Sequence, residues 1–260
     1  MKKFVLSAMA AIMVLGASSA MAAEKMKVRM GTEGAYPPFN FIDKSGKLQG
    51  FDIDIGNAIC KAANLDCTWV TQDWDGIIPG LIAEKYDTII ASMSITEERK
   101  KKVDFSGKYY TTPARFATSA KMAGMKFSKD SLKGKTIGVQ SSTIHENFVR
   151  DNFGKIAKIK SYDKQEQANL DLKAGRVDFV LADAVALNDG FLKTPAGKGY
   201  AFVGPNYTDK KWFGDGAGIA IRKGEDKLRK ALNDGIAKIR ADGTYAKINA
   251  KYFNFDVYGD

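Results

Sequence analysis

Arg99 ends a polar segment, residues 92–99, that could bind an acidic group. The segment leaves a predicted strand and enters a helical turn, for which Thr96 is a suitable N-cap residue. A guanidinium at this place can point back at the strand ends and hold a carboxylate with two parallel hydrogen bonds, which a lysine cannot do. A surface ion pair of Arg99, for example with Asp104, is the alternative.

Two further segments carry polar groups directly after predicted strands. Ser141, Ser142 and Thr143 stand where a strand turns into a helix. Backbone amides at a helix N-terminus, together with hydroxyls, can bind an anion, and plain helix capping is the alternative. Asp183 follows another strand and offers a carboxylate to a cation, unless it only caps the helix predicted over residues 184–191.

Glu33, Tyr36 and Trp74 are candidates for holding a side chain. Glu33 and Tyr36 lie in the loop after the first predicted strand, and Trp74 precedes a helix. A carboxylate and a phenol could receive a cationic group. An indole face could stack on an alkyl chain or a guanidinium, worth about 0.5–2 kcal/mol, although core packing is equally open for this tryptophan.

The charges of these candidates select a class of ligand. Arg99 with a helix N-terminus suits a carboxylate, and Asp183 suits an ammonium, so the two together suit a zwitterionic α-amino acid. Glu33 adds a second negative charge, and a buried site needs its charges paired. The sequence therefore predicts a dibasic amino acid as the ligand.

Other chemistries find little support in the composition. His145 is the only histidine, and no Ser, Cys or Asp stands at a spacing that suggests a catalytic triad, so we predict a structural or surface role for it. One His and two Cys make a structural zinc site unexpected, since such sites use four nitrogen or sulfur ligands. We predict no metal and no cofactor.

The predicted elements alternate between strands and helices in two similar sets, which is typical of α/β folds with parallel sheets. Predicted strands cover residues 27–32, 88–91, 136–140 and 179–182, and predicted helices 51–63, 75–85, 143–151 and 163–174. Residues 81–90 and 172–181 share the pattern L-x-A-x-[KR]-x-D-x-[IV]-[IL]; either αβ junctions match by chance or the chain holds two related lobes. Ligands bind at the carboxyl ends of such strands, so Glu33, Ser92, Ser142 and Asp183 are expected to face a shared cleft.

The first 22 residues have the features of a secretory signal peptide, with cleavage expected before Ala23; an uncleaved anchor is the alternative. Removal of Lys2 and Lys3 lowers the net charge from +10 to +8 (38 basic minus 30 acidic side chains). Nucleic-acid binding is not expected, because an exported protein seldom meets nucleic acid and the positive charges are scattered. In an oxidising compartment Cys60 and Cys67 are expected to form a disulfide, with two free thiols as the alternative.

Several motifs give the chain a resemblance to the periplasmic amino-acid-binding proteins of ABC importers, specifically the lysine/arginine/ornithine and histidine group. They cover residues 50–54, 92–99, 173–176, 191–198, 214–216 and 252–260. The resemblance implies a two-lobed, hinge-closing fold of type II with the second lobe inserted into the first. Lobe 1 would comprise residues 23–111 and 212–260, and lobe 2 residues 112–211. The hinges would lie near residues 110–113 and 212–215.

The resemblance also implies a role for each candidate residue. Arg99 would hold the α-carboxylate with Ser94 and Thr143, Asp183 and Ser92 would receive the α-ammonium, Tyr36 and Trp74 would sandwich the side chain, and Glu33 would meet its distal charge, with Ala91 and Ser142 completing the site. Three positions depart from the family pattern. Glu33 stands where Asp is frequent, Ala91 where Ser is frequent, and Ile144 where Gln is common. The choice among Lys, Arg, ornithine, His and opines therefore stays open.

We thus expect a monomeric periplasmic receptor, not an enzyme, that captures a cationic amino acid and delivers it to an ABC transporter permease. The ATPase would be another chain. The rival hypotheses are a receptor for a neutral polar amino acid or an opine, and a periplasmic enzyme on the same fold, such as a dehydratase.

Overall fold

The computed structural model describes residues 25–259 of the chain. The predicted signal peptide, residues 1–22, and its cleavage before Ala23 lie outside the described residues. Between residues 25 and 259, no helix combines the length and the apolar character that a membrane span requires.

The first sheet contains five strands. They are β1 (Lys27–Thr32), β5 (Asp66–Thr71), β6 (Thr88–Ile89), β7 (Asp104–Tyr110) and β13 (Ala217–Ile221). Their order is β5-β1-β6-β13-β7, in which β5 and β6 run parallel to β1 and β13 runs antiparallel to both neighbours. A small antiparallel sheet of β2 (Ala35–Tyr36), β3 (Asn40–Ile42) and β4 (Leu48–Gln49) follows β1.

The second sheet repeats this plan with five other strands. They are β8 (Ala114–Ser119), β9 (Thr136–Gln140), β10 (Lys158–Tyr162), β11 (Phe179–Asp183) and β12 (Tyr200–Tyr207). The order is β10-β9-β11-β8-β12, with β9 parallel to β10 and β11. Strand β8 is antiparallel to β11 and β12. Each sheet thus combines three neighbouring parallel strands with two strands that adjoin the segments connecting the two sheets.

Ten α-helices accompany these sheets within the described residues. They are α1 (Phe51–Ala62), α2 (Ile77–Ile82), α3 (Glu97–Lys100), α4 (Ala120–Ala123), α5 (Ile144–Phe153), α6 (Gln165–Lys173), α7 (Ala184–Leu187), α8 (Lys210–Phe213), α9 (Asp226–Ala241) and α10 (Thr244–Tyr252). Helix α9 buries an apolar stripe that consists of Leu228, Leu232, Ile236 and Ile239. Gly235 lets it approach α1 closely, since a Cβ there would lie 2.9 Å from Ile59 Cγ2.

Each sheet has its own hydrophobic core. Around the first sheet, Phe51, Ile59 and Ile219 belong to one buried cluster and Ile77 and Ile89 to another. Around the second, Phe116, Val139 and Phe179 form one cluster, and Leu172 and Val180 belong to a second. Two cores on two sheets make the chain two-lobed, and the predicted α/β class with two parallel-containing sheets is confirmed.

Two segments cross between the sheets. The first, residues 111–113, joins β7 to β8, and the second, residues 208–216, joins β12 to β13 and contains α8. All strands between the two crossing segments belong to the second sheet. The second sheet is therefore inserted between two parts of the chain that together form the first sheet. Cys60 and Cys67 form the predicted disulfide, which ties the end of α1 to β5.

Some predicted element bounds differ from the observed ones. The helix expected over residues 75–85 is confined to α2, with a 3₁₀ turn (Trp74–Gly76) before it and Glu84 in a left-handed conformation (φ 58°) after it. The helix expected over residues 184–191 is α7 continued by a π-helical stretch (Asn188–Leu192). Gly175 (φ 69°) lies just after α6, because glycine tolerates the left-handed conformation that ends a helix.

Candidate ligand-binding site

A cavity of about 180 Å³ lies between the two sheets at the carboxyl ends of the parallel strands. The lobe that contains the first sheet lines this cavity with Glu33, Tyr36, Trp74, Ala91, Ser92, Ser94, Arg99 and Tyr110. The part that contains the second sheet lines it with Thr112, Gln140, Thr143, Ile144, His145 and Asp183. The volume is below the roughly 300–1,000 Å³ of drug-sized pockets, so it suits a small metabolite.

The cavity wall contains every predicted site residue except Ser142. The side chain of Ser142 is exposed, and the residue has a left-handed backbone conformation (φ 56°). Its carbonyl oxygen accepts a hydrogen bond of 3.1 Å from Trp74 Nε1. The backbone of Ser142 therefore holds the indole of Trp74, which belongs to the other lobe, while the residue itself does not line the cavity.

Arg99 supplies positive charge to the cavity from the end of α3. Thr96 caps this helix, as predicted, by accepting from the Arg99 amide. Nη1 donates to the Ser94 carbonyl oxygen at 3.0 Å, and the guanidinium carbon lies 5.3 Å from the centre of the Trp74 ring. Burial lowers the pKa of Arg99 to about 10, and it forms no ion pair with the residues that the structure describes.

Asp183 has the two functions that the sequence left open. Its Oδ1 accepts from the amides of Val185 and Ala186, at 2.8 and 3.0 Å, and so caps α7. Its Oδ2 accepts from the hydroxyl of Thr112 in the crossing segment. Burial raises the pKa of Asp183 to about 6, although these hydrogen bonds favour the ionised form. A cation in the cavity would restore full ionisation.

Glu33 is buried without a cationic partner within 4 Å among residues 25–259. Gln140 Nε2, from the end of β9, donates to its Oε1 at 2.7 Å. Burial raises the pKa of Glu33 to about 7, while the hydrogen bond from Gln140 and the charge of Lys164 lower it. The carboxyl group is thus poised to lose its proton when a positive group arrives.

A buried carboxylate behind the wall, Asp52, holds the first half of the site in shape. It accepts from Asn40 Nδ2 at 2.8 Å, from the Tyr109 hydroxyl at 2.8 Å and from Ser92 Oγ at 3.0 Å. Because Ser92 donates its proton to Asp52, its lone pairs stay available to accept from a ligand. Asn40 also accepts from the Gly34 amide, which fixes the loop that carries Glu33.

His145 lies in the cavity wall, where a structural or surface position was predicted. It belongs to the first turn of α5, and its ring centre is 6.0 Å from that of Phe213. Burial, and to a smaller extent the charge of Arg99, lowers the pKa of His145 to about 3. The imidazole is therefore neutral at pH 7.

Three further residues of the wall were not predicted as site residues, namely Gln140, Tyr110 and Thr112. Gln140 is the last residue of β9, directly before the Ser141-Ser142-Thr143 sequence, so its place at a strand end could have nominated it. Tyr110 and Thr112 lie at the crossing segment, and no local pattern marks them. Asp52 stood in one of the family-like motifs, but its spacing from Ser92 gave no sign of contact.

Several polar contacts join the two halves around the cavity. Ser141 Oγ donates to the Asp75 carboxylate, 3.0 Å from both oxygens, and Lys164 Nζ lies 3.7 Å from Asp73 Oδ1. The Asp183 amide donates to the Tyr36 hydroxyl at 3.4 Å. With the Gln140–Glu33 and Trp74–Ser142 bonds, these contacts hold the two halves together over the cavity.

The donor set of the cavity does not suggest a metal. Among residues 25–259, no group of three or more His, Cys, Asp and Glu side chains is arranged to hold a metal ion. The carboxylates of Glu33 and Asp183 accept from protein donors, and the guanidinium of Arg99 repels cations from its end of the cavity. The arrangement can instead bind a small molecule that carries both signs of charge.

Two lobes joined by two crossing segments, with a cavity that carries charged groups between them, define a two-lobed solute-binding protein. The model of the bacterial extracellular solute-binding proteins, family 3, matches residues 28–255. The chain belongs to this family.

Curated relatives match over the whole chain. The chain is 49% identical over 260 residues to the L-arginine-binding protein of Pseudomonas aeruginosa, which covers 100% of this chain and 99% of that protein. It is 43% identical to the lysine/arginine/ornithine-binding periplasmic protein and 44% identical to the histidine-binding periplasmic protein of Escherichia coli, with 100% of each chain covered.

Solved structures agree with this assignment. A periplasmic binding protein of Salmonella typhimurium described as having high arginine specificity has a TM-score of 0.80 and 33% identity, covering 88% of this chain and 100% of that one. An ancestral amino-acid-binding protein, described as a precursor of cyclohexadienyl dehydratase, has a TM-score of 0.77 and 32% identity, covering 88% of this chain and 96% of that one.

Proposed function

We propose that the protein binds a cationic L-amino acid, namely arginine, lysine, ornithine or histidine, in the cavity between its lobes. One observation carries the proposal: Arg99 lies in the same cavity wall as Asp183 and Glu33, and none of the three has an ion-pair partner among residues 25–259. An amino acid with one carboxylate and two positive groups would pair all three charges, which a buried site requires.

The roles follow from chemistry and position. Arg99 binds the α-carboxylate, with Ser94 and Thr143 beside it. Asp183 and Ser92 accept from the α-ammonium. The distal cation meets Glu33, and its alkyl stem lies between Tyr36 and Trp74. The names of the arginine- and lysine-binding relatives support the class of ligand.

We further propose that the lobes consist of residues 23–111 with 212–260 and of residues 112–211, and that they open about the two crossing segments. A ligand favours closure only through contacts made in the closed form. Asp183 and Thr143 provide such contacts, because they belong to the lobe opposite Arg99. Shifting a hinge from 1:99 to 99:1 needs about 5.5 kcal/mol of differential binding.

The cellular setting completes the proposal. The chain is exported to the periplasm, acts as a monomer without a cofactor and delivers its ligand to an ABC transporter permease. The names of the periplasmic relatives support export, and the family supports a transporter partner.

Calorimetric titration with arginine, lysine, ornithine, histidine and glutamine tests the proposal. Arginine, lysine or ornithine is expected to bind at least tenfold more tightly than glutamine, because glutamine leaves Glu33 without a positive partner. Tighter binding of glutamine than of arginine would refute the role of Glu33 and favour a receptor for neutral amino acids. An opine is added to the panel to test the remaining alternative, a receptor for opines; tighter binding of the opine than of arginine would favour that alternative.

An enzyme on the same fold is the second candidate, since one structural relative is described as the precursor of a dehydratase. Glu33, Asp183 and His145 are titratable groups in the wall that could transfer a proton. The neutral His145 forms no hydrogen bond with a carboxylate among the described residues, whereas a catalytic base is normally oriented by such a partner. Turnover of a compound in a metabolite mixture would favour the enzyme; we expect none.

A further inference from the structure

The end of the second sheet that points away from the cavity is strongly basic. Residues 112–211 contain 17 Lys and Arg but 10 Asp and Glu, a net charge of +7, whereas the rest of residues 23–260 contains 21 against 20, a net charge of +1. Most of the excess charge of the chain therefore belongs to one lobe. We call the responsible surface the basic pole, which consists of Lys121, Lys126, Lys129, Lys133, Lys155, Lys158, Lys173 and Lys198.

Backbone contacts bring these separate segments together at one end of the sheet. The Gly134 amide donates to the Ile156 carbonyl, and the Lys158 amide donates to the Lys135 carbonyl, which joins residues 133–135 to residues 155–158. The Ala120 amide donates to the Gly199 carbonyl, and the Tyr200 hydroxyl donates to the Lys173 carbonyl. Five stretches of chain thus meet where β9, β10 and β12 begin.

The lysines of the basic pole are exposed and have no ion-pair partner among residues 25–259. Other charges at this end are already matched: Lys135 pairs with Asp178, and Lys160 and Arg176 pair with Asp171. The exposed carboxylates Asp130 and Asp151 oppose the lysines. Eight unpaired positive charges against two negative ones leave a surface that attracts an extended polyanion.

The basic pole is separate from the cavity. The cavity lies where β9 ends, at Gln140, whereas the basic pole begins before Thr136, so the length of the strand, roughly 13 Å at ~3.3 Å per residue, stands between them. An occupant of the basic pole would leave the mouth between the lobes open to solution.

We infer that the basic pole binds the surface of a bilayer that contains anionic phospholipids. Lysine is a compact, hydrated point charge that suits delocalised attraction to headgroups, whereas planar readout of a particular phosphate favours arginine. The lysines are spread over five stretches of chain, and among residues 25–259 only Lys155 and Lys158 of the basic pole share a pocket, a shallow one that is open to solvent, which fits a broad charged plane. Each lysine near an anionic membrane is expected to raise the partition coefficient about fivefold.

The experiment is sedimentation of the whole mature protein with sucrose-loaded vesicles, which needs no ligand in the cavity. Vesicles of 30% phosphatidylglycerol in phosphatidylcholine are compared with pure phosphatidylcholine at 0.05 and 0.5 M salt. We expect binding to the anionic vesicles at low salt, at least tenfold weaker binding at high salt, where charges are screened within about 4 Å, and none to the neutral vesicles. Equal binding to both vesicle types would overturn the proposal.

Matched variants locate the surface. Lys126→Gln, Lys129→Gln and Lys133→Gln together are expected to lower the partition coefficient at least tenfold. Lys61→Gln, Lys85→Gln and Lys247→Gln remove three exposed lysines of the other lobe and are expected to change it less than twofold. Equal losses in the two triple variants would show that net charge alone acts, and would refute the basic pole. Single-stranded DNA is offered to the protein at the same concentration of negative charge as the anionic vesicles. Tighter binding of the protein to the DNA than to the vesicles would also refute a lipid as the occupant of the basic pole.

Discussion

The two lobes share one plan but contribute differently to the cavity. In the first lobe, Arg99 donates to the Ser94 carbonyl and Ser92 donates to Asp52, both within that lobe. In the second lobe, Asp183 is likewise held by groups of its own lobe, whereas Gln140 donates across the cavity to Glu33. Under the proposed function, the first lobe supplies the positive charge that recognises the α-carboxylate, and the second lobe adds its contacts when it closes.

Arg99→Ala tests the recognising lobe and has the largest expected effect. Leaving one member of a buried ion pair alone costs roughly 3–5 kcal/mol, so we expect every amino acid to bind at least about 100-fold more weakly. Calorimetry gives the affinities, and Arg99→Lys serves as the control that retains the charge but loses the bidentate geometry. Arginine binding within tenfold of the original would show that another group holds the carboxylate.

Glu33→Gln tests a group that belongs to the first lobe but also accepts a hydrogen bond from Gln140 of the second lobe. Neutralising one partner of a buried charge pair costs about 2–5 kcal/mol, so arginine and lysine should lose about 30-fold or more in affinity. At pH 8 histidine carries little side-chain charge and should lose less than about threefold. Equal losses for all three ligands would contradict the assignment of Glu33 to the distal cation.

The affinity for arginine should fall as the pH falls from 7.5 to 5. Burial raises the pKa of Glu33 to about 7 and that of Asp183 to about 6, so both groups take up protons in this range without ligand. A cationic ligand needs them ionised, and binding must then release protons, which predicts a loss of about 100-fold or more. Calorimetry in two buffers of different ionisation enthalpy measures the protons released; Glu33→Gln should reduce their number.

The same carboxyl groups predict how stability changes with pH. Their pKa values in the ligand-free folded protein are above the unfolded values, so this contribution weakens the ligand-free fold as the pH rises from about 4 to 7. Arginine should cancel the loss, so the rise in Tm that it causes should grow over this range. A rise independent of pH would contradict the coupling.

Ser141→Ala tests the closing lobe and has the smallest expected effect. Its hydroxyl donates to Asp75 across the mouth of the cavity, a partly exposed contact, so its loss should weaken all ligands by a similar factor of about two to five. Ser142→Ala is the matched control, since Ser142 is exposed and does not line the cavity. A ligand-dependent loss in Ser141→Ala would mean that Ser141 contacts the ligand.

Much of the fold could be predicted because hydrophobic periodicity is local. The strands Lys27–Thr32 and Thr136–Gln140 have their predicted bounds. Helix α2 is shorter than predicted because tertiary packing, and not periodicity, decides where a turn becomes 3₁₀. Glu33, Ser92 and Asp183 lie in the cavity wall as predicted, because the carboxyl ends of parallel strands meet at one edge of a sheet.

Residue types and their places in the chain determined the α/β class, the charges of the site and the class of ligand, since these depend on strand ends and on side-chain chemistry. Only the tertiary structure decided that His145 lines the cavity, that Asp52 holds Ser92, and that Ser142 is exposed outside the cavity wall. The physical reason is that such contacts join residues far apart in the chain, and a one-residue change in backbone direction turns a side chain into or out of a cavity.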